Sequence, residues 1–144
     1  MRKALVHITL AIAMLAVGGA VYLLWRPQRL VMSHVADWLG FSDAIGRWRA
    51  AVEGVVLPEW SVFCLPNALW SAAYILTADA VTSGGPLSQR LTVASLIPAV
   101  GLVSEAMQAL GLLPGTADWL DALAYALPYL VYLTCIQTYK TQMI

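Results

Sequence analysis

Two polar pairs with the same spacing stand out in an otherwise apolar sequence: Glu105-x-x-Gln108 and Asp118-x-x-Asp121. On a helix, residues three apart lie on one side, with their Cβ atoms about 5–6 Å apart. Glu105 lies roughly two turns before Gly111, so it should sit about 9 Å inside its helix end. A carboxylate that far inside an apolar helix is costly unless it is paired, protonated or hydrated. Glu105 is the sharpest candidate for a functional group, because helix capping cannot explain it and a desolvated acid is suited to exchanging protons.

Three further polar residues are expected at the same membrane face. Asn67 lies one to two turns into its helix, and Arg47 and Arg49 belong to the segment before that helix. The functional interpretation is a pocket for a headgroup, a proton or a small ligand. Its candidate ligand-binding residues are Glu105, Gln108, Asp118, Asp121, Asn67, Arg47 and Arg49. The alternative is a structural network, in which the aspartates lie at a helix N-terminus that favours anions and the glutamate pairs with Arg47 or Arg49.

No other set of residues has the pattern of a catalytic or metal centre. His34 and Asp37 are three residues apart, but one histidine with one aspartate does not make a metal site. Cys64 and Cys135 lie in apolar runs, where we expect them to pack as small residues. Serine, histidine and aspartate occur without the context of a nucleophile elbow. The sequence therefore predicts no metal and no cofactor, and it leaves any catalytic residue unassigned.

Composition indicates where the protein resides. The 144 residues are 60% hydrophobic and 11% charged, whereas a typical soluble domain is about 25% charged. Eight basic residues balance eight acidic ones, so the chain has no basic surplus for nucleic acid, and its apolar content excludes disorder. Residues 4–25, 60–78 and 122–139 carry no charge, and residues 91–113 carry only Glu105. Stretches of about 20 apolar residues predict membrane-spanning helices, because backbone groups in lipid must bond within their own segment.

The predicted fold class is all-α, an integral membrane bundle of four transmembrane helices that forms a single membrane domain over residues 1–144. The helices are expected at about residues 4–25, 60–81, 89–112 and 117–140. The first apolar run continues to Trp25, which is longer than the apolar region of a signal peptide. We therefore interpret it as an uncleaved membrane helix.

Residues 28–57 are expected to form an amphipathic helical cap between the first two spans. Half of the sixteen charges fall within residues 26–59. Apolar residues recur at helical spacing on both sides of Gly40, which predicts two short helices, the second capped by Ser42. Tryptophans in both helices fit a segment that lies in the membrane interface. The alternative is an extramembrane cap packed over the bundle.

Four spans place both termini on one side of the membrane. If that side is the cytoplasm, its basic residues are Arg2, Lys3, Arg90 and Lys140. The basic residues on the other side are then Arg26, Arg29, Arg47 and Arg49. This balance means that the positive-inside rule does not decide the orientation. We expect cytoplasmic termini, because two basic residues directly flank the first span to insert.

The order of motifs resembles the VanZ-like family of small bacterial integral membrane proteins. In that family a Glu-x-x-Gln helix end is followed by a short reversal and by an aspartate that begins the next helix, as in residues 105–121 here. In one subgroup an Arg-Pro pair follows the first helix, as Arg26-Pro27 does here. The second helix of that subgroup opens with Leu-Pro-x-x-Leu-Trp, as in residues 65–70. Its last helix opens with Pro-Gly-Thr-x-Asp-x-x-Asp, as in residues 114–121.

The resemblance covers most of residues 22–135. It implies a multipass protein of the bacterial inner membrane with a role in the cell envelope, since the family is associated with low-level resistance to the glycopeptide teicoplanin. The family pattern has an arginine before the aspartate and Asn-x-x-Gly after it. This chain has Thr116-Ala117 and residues 124–127 at those positions. The resemblance therefore implies a cellular location and not a reaction.

Three functions fit these residues. The first, which we favour, is a ligand-binding or accessory protein of the envelope. Its partners would be the lipid bilayer and either a lipid-linked envelope ligand or another membrane protein, with no nucleic acid. The second is a membrane-embedded enzyme that uses paired carboxylates as acid and base, although no nucleophile accompanies them. The third is a structural subunit of a membrane complex, assembled through small residues on its helices.

Overall fold

The computed structural model describes residues 2–27 and 31–141, and this part of the chain contains helices and no strands. The helices are α1 (Arg2–Trp25), α2 (Val31–Trp38), α3 (Ser42–Val52), α4 (Glu59–Phe63), α5 (Leu65–Thr82), α6 (Leu87–Ala109) and α7 (Trp119–Thr141). The predicted all-α fold class is confirmed. The described part of the structure does not include Arg29 or the side chain of Lys140, two of the basic residues in the charge balance above.

Among the described residues, three helical segments are long and apolar enough to cross a membrane: α1, α6 and residues 119–136 of α7. Their large apolar side chains point outward, as Leu5 and Ile12 do on α1 with 66% and 62% of their surface exposed. Water would make such extended apolar surfaces an aggregation hazard, whereas lipid accommodates them. The chain therefore has the surface of a membrane protein.

Helix α5 occupies the centre of the bundle and packs against α1, α6 and α7. Its buried residues are mostly small, including Ser71 and Ala73, so the backbones of neighbouring helices approach closely. A helix surrounded by three others needs fewer apolar residues than one on the outside of the bundle. This explains why the polar side chains of Asn67 and Asp79 are accommodated in α5, and why it is not among the three apolar helices.

The second predicted span is not one continuous helix, because the chain breaks at Cys64 between α4 and α5. Pro66 has no backbone N–H, so the carbonyl of Val62, four residues earlier, has no helical donor. Arg26 at the end of α1 supplies the missing donor. Its Nε donates to the Val62 carbonyl at 3.0 Å, and its Nη2 donates to the carbonyl of Phe63. These two hydrogen bonds therefore hold the end of α1 against the start of α5.

The cap contains two short helices where the sequence predicted them, but Ser42 does not cap the second. It is the first residue of α3, and the preceding Phe41 makes no side-chain capping bond. The helix begins one residue earlier than a Ser42 cap requires, and the Ser42 hydroxyl donates to Asp37 Oδ1 at 2.6 Å, which joins α3 to α2. Trp38 and Trp48 are exposed, and the interfacial position of the cap stays a prediction.

Gly18 and Gly19 give a matched test of the α1–α5 packing. A Cβ at Gly18 would lie 2.7 Å from Trp70 Nε1, whereas a Cβ at Gly19 would meet no heavy atom within 4 Å. We expect Gly18→Ala to lower the free energy of unfolding by about 1–3 kcal/mol through overpacking. Gly19→Ala should be neutral or stabilising by up to about 1 kcal/mol, because alanine favours helix. Thermal unfolding in detergent measures both, and equal effects would contradict the packing.

Candidate functional site

The start of α5, the end of α6 and the start of α7 meet at one end of the bundle, which we call the acidic end. Asn67 Nδ2 donates to Asp121 Oδ1 at 3.0 Å, joining α5 to α7. The backbone N–H of Asp118 donates to Glu105 Oε2 at 3.0 Å, joining α7 to α6. Four of the seven residues singled out in the sequence are thus brought together in two hydrogen-bonded pairs.

Glu105 has a structural partner that the sequence did not reveal. Its carboxylate accepts the backbone N–H of Asp118, whose own Oδ1 accepts the N–H of Leu120 at 2.9 Å and caps the first turn of α7. The expectation that helix capping cannot explain Glu105 is therefore wrong. The first N–H groups of a helix have no partner within it, and Glu105 reaches one of them from the neighbouring helix. The dipole of α7 favours both carboxylates at this position.

Gln108 lies against the reversal between α6 and α7. A Cβ at Gly115 would lie 3.1 Å from both Cδ and Nε2 of the Gln108 side chain. Gly115 also has a φ of +128°, a conformation that residues with a side chain rarely adopt. The backbone conformation therefore favours glycine at this position, and a Cβ there would also crowd the Gln108 side chain. Gln108 packs on the turn that brings α7 back toward α6.

Arg47 and Arg49 do not join the carboxylates of the acidic end. No ion pair within 4.0 Å joins Glu105 to either arginine, all three of which the structure describes, so the predicted pairing is wrong. Arg49 Nη2 instead donates to the backbone carbonyl of Arg26 at 2.7 Å, and Arg47 is exposed. The physical reason is that α3 packs mainly against α1.

Tyr125 and Arg26 lie beside the acidic end, and Cys64 is buried there, as the sequence predicted for a packing residue. The backbone carbonyl of Tyr125 accepts a hydrogen bond from the Ser71 hydroxyl of α5 at 3.2 Å. The Arg26 guanidinium donates to two backbone carbonyls, and one of them, that of Phe63, also lies 3.4 Å from Asn67 Nδ2. The position of Tyr125, four residues after Asp121, is the one sequence signal that could have placed it on the same helix face.

A second polar cluster closes the opposite end of the bundle around Asp79, which is 6% exposed. The carboxylate accepts hydrogen bonds from Arg90 Nη2 at 2.5 Å and from the Tyr132 hydroxyl at 2.6 Å, and His7 Nδ1 lies 3.2 Å from it. His7 and Tyr132 were not anticipated, because residues from the first and last helices share no local motif. The cluster ties together α1, α5, α6 and α7.

Comparisons with known proteins identify no family. No family model, curated protein or solved structure matches the chain. The VanZ-like resemblance thus depends on the short motifs alone and stays a prediction. In the part of the chain that the structure describes, no group of three or more His, Cys, Asp or Glu residues could hold a metal ion.

Swapping the amide of Asn67 with the carboxylate of Asp121 tests the hydrogen bond that joins α5 to α7. We expect Asn67→Asp to lower the free energy of unfolding by about 1–3 kcal/mol, because two carboxylates would then face each other without a donor. Adding Asp121→Asn restores an amide–carboxylate pair with the roles reversed, so most of the loss should be recovered. Thermal unfolding of the two single variants and the double variant measures this. A double variant no more stable than Asn67→Asp would contradict the contact.

Proposed function

We propose that the chain is a four-span, VanZ-like protein of the bacterial cell envelope and that its acidic end binds a lipid-linked envelope ligand. The four spans would be α1, α4 together with α5, α6, and α7. The central place of α5 between apolar helices supports its assignment as a span. Its 18 residues extend over about 27 Å, and α4 adds to that length, which suits a bilayer core of about 30 Å.

The proposed orientation places the acidic end at the outer face of the cytoplasmic membrane. With cytoplasmic termini, the end of α1 and the starts of α5 and α7 all lie on the outer side. The cap lies on this side too, since it connects α1 to α4. A ligand carried by a lipid would then approach the acidic end laterally, from the outer leaflet.

The observation that carries the proposal is the surplus of hydrogen-bond acceptors at the acidic end. Glu105, Asp118 and Asp121 are each only partly buried. In the described residues their hydrogen bonds come from neutral donors, and the nearby Arg26 is occupied by backbone carbonyls. An ionised carboxylate has about four acceptor positions, so most of them stay open here. Such a site suits a ligand rich in hydroxyl or ammonium donors, such as the glycan head of a lipid-linked molecule.

The second candidate function is a structural subunit of a membrane complex. The hydrogen bonds from Asp118 N to Glu105 and from Leu120 N to Asp118 favour it, because both serve the start of α7. On this alternative the acidic end would hold helices together and bind nothing. The two candidates differ in whether neutralising a carboxylate changes the occupancy of a ligand or only the stability of the fold.

Native mass spectrometry of the full chain, purified in mild detergent from bacterial membranes, tests the proposal. We expect a bound mass whose fragments include a glycan. Asp121→Asn should lower its occupancy, because an amide replaces a charged acceptor. The matched control is Glu59→Gln, which neutralises an exposed carboxylate on α4 outside the acidic end.

The unfolding temperature of each variant is measured in parallel to separate binding from folding. A folded protein without a bound mass would contradict the proposal and favour the structural subunit. Equal occupancy in Asp121→Asn and Glu59→Gln would also contradict it.

A further inference from the structure

A groove with a volume of about 400 Å³ lies between the end of α1 and the end of α3. Its wall includes Leu24 and Trp25 from α1, and Arg49 and Glu53 from the end of α3. None of the carboxylates of the acidic end lines it. The groove is therefore a separate site, which combines one cation, one anion and an aromatic side chain.

The two charged residues of the groove, Arg49 and Glu53, do not pair with each other. Arg49 and Glu53 are four residues apart, a spacing at which opposite charges on a helix can pair. No ion pair within 4.0 Å joins these two described residues. Arg49 donates from Nη2 to the Arg26 carbonyl, but its Nε is buried and has no hydrogen-bond partner. A guanidinium has five N–H donors and only one of them is bonded here, so an acceptor in the groove can approach the donors of Arg49 that face it.

With α1 spanning a bilayer, the groove beside its end would lie at the level of the lipid headgroups. Trp25 is the last residue of α1, which is long and apolar enough to cross a membrane. Tryptophan is enriched at the boundary between lipid and water. The indole N–H of Trp25 donates to the carbonyl of Val55 at 2.9 Å, which fixes the end of the cap beside the end of α1. A lipid whose chains lie along α1 would place its headgroup beside this groove.

We propose that the groove binds the headgroup of phosphatidylethanolamine, with the phosphate at Arg49 and the ammonium at Glu53. A guanidinium is well matched to phosphate oxygens, and a carboxylate accepts hydrogen bonds from a primary ammonium. An anionic headgroup without an ammonium would satisfy Arg49 but would be repelled by Glu53. A choline headgroup has no N–H to donate. The inference depends on α1 spanning the membrane and not on a ligand at the acidic end.

Lipid titrations of the delipidated full chain, followed by native mass spectrometry, test this site. The probes are phosphatidylethanolamine, phosphatidylglycerol and phosphatidylcholine with identical acyl chains. We expect the wild type to prefer phosphatidylethanolamine about tenfold over phosphatidylglycerol, the value for one favourable charged contact. Glu53→Gln should remove that preference, and Arg49→Gln should weaken the binding of all three lipids. The matched controls on the same helix, Asp43→Asn and Arg47→Gln, should behave as the wild type does.

Two further measurements keep the outcome interpretable. Soluble glycerophosphoethanolamine should displace the lipid, which separates recognition of the headgroup from adsorption of the acyl chains. Arg49 also donates to the Arg26 carbonyl, so its replacement could destabilise the fold. The unfolding temperature of each variant is therefore recorded, to separate a loss of stability from a loss of lipid binding. If Arg49→Gln is unstable, Arg49→Lys replaces it, and this variant should still weaken lipid binding because it lacks the planar guanidinium.

Equal binding of the three lipids by the wild type would overturn the proposal. An unchanged preference in Glu53→Gln, or a failure of glycerophosphoethanolamine to compete, would also overturn it. Asp121→Asn should leave the lipid preference intact. Failure of this site and failure of the acidic end are therefore distinguishable, since each responds to its own variant.

Discussion

The hydrogen bonds from Arg26 to the carbonyls of Val62 and Phe63 hold the end of α1 against the break between α4 and α5. Pro66 creates the need for them, because it cannot donate to the carbonyl of Val62. Val62 is buried, and an unsatisfied buried backbone group costs about 1–3 kcal/mol, so a donor from elsewhere stabilises the break. The same break lets Asn67 begin α5 with its amide directed toward both the Phe63 carbonyl and α7.

Polar contacts between helices define this bundle more than an apolar core does. The buried residues between the helices are mostly small, and the large apolar side chains point outward. Lipid is as apolar as those side chains, so their burial would not select one helix arrangement over another. The Asp79 cluster at one end, and the bonds of Glu105 and Asn67 at the other, each join different helices. These bonds fix the relative positions of the helices and thereby assemble the acidic end.

The sequence allowed the helices to be predicted because stretches without charge mark them directly. It also placed Glu105 and the aspartates near one another, since helix ends joined by a short reversal must meet. The break at Cys64 could have been anticipated from Pro66, but its partner Arg26 lies forty residues earlier. The direction in which Arg49 points, toward α1, depends on how the cap packs. No local pattern encodes such contacts between distant segments.

A double-mutant cycle between Arg26 and Pro66 tests most directly whether the arginine replaces the donor that the proline lacks. Arg26→Gln should lower the free energy of unfolding by about 2 kcal/mol, the value of a charged hydrogen bond. In the Pro66→Ala background, the new backbone N–H can reach the Val62 carbonyl. The same substitution should then cost about 1 kcal/mol less, measured by thermal unfolding in detergent. Equal costs in the two backgrounds would contradict the account.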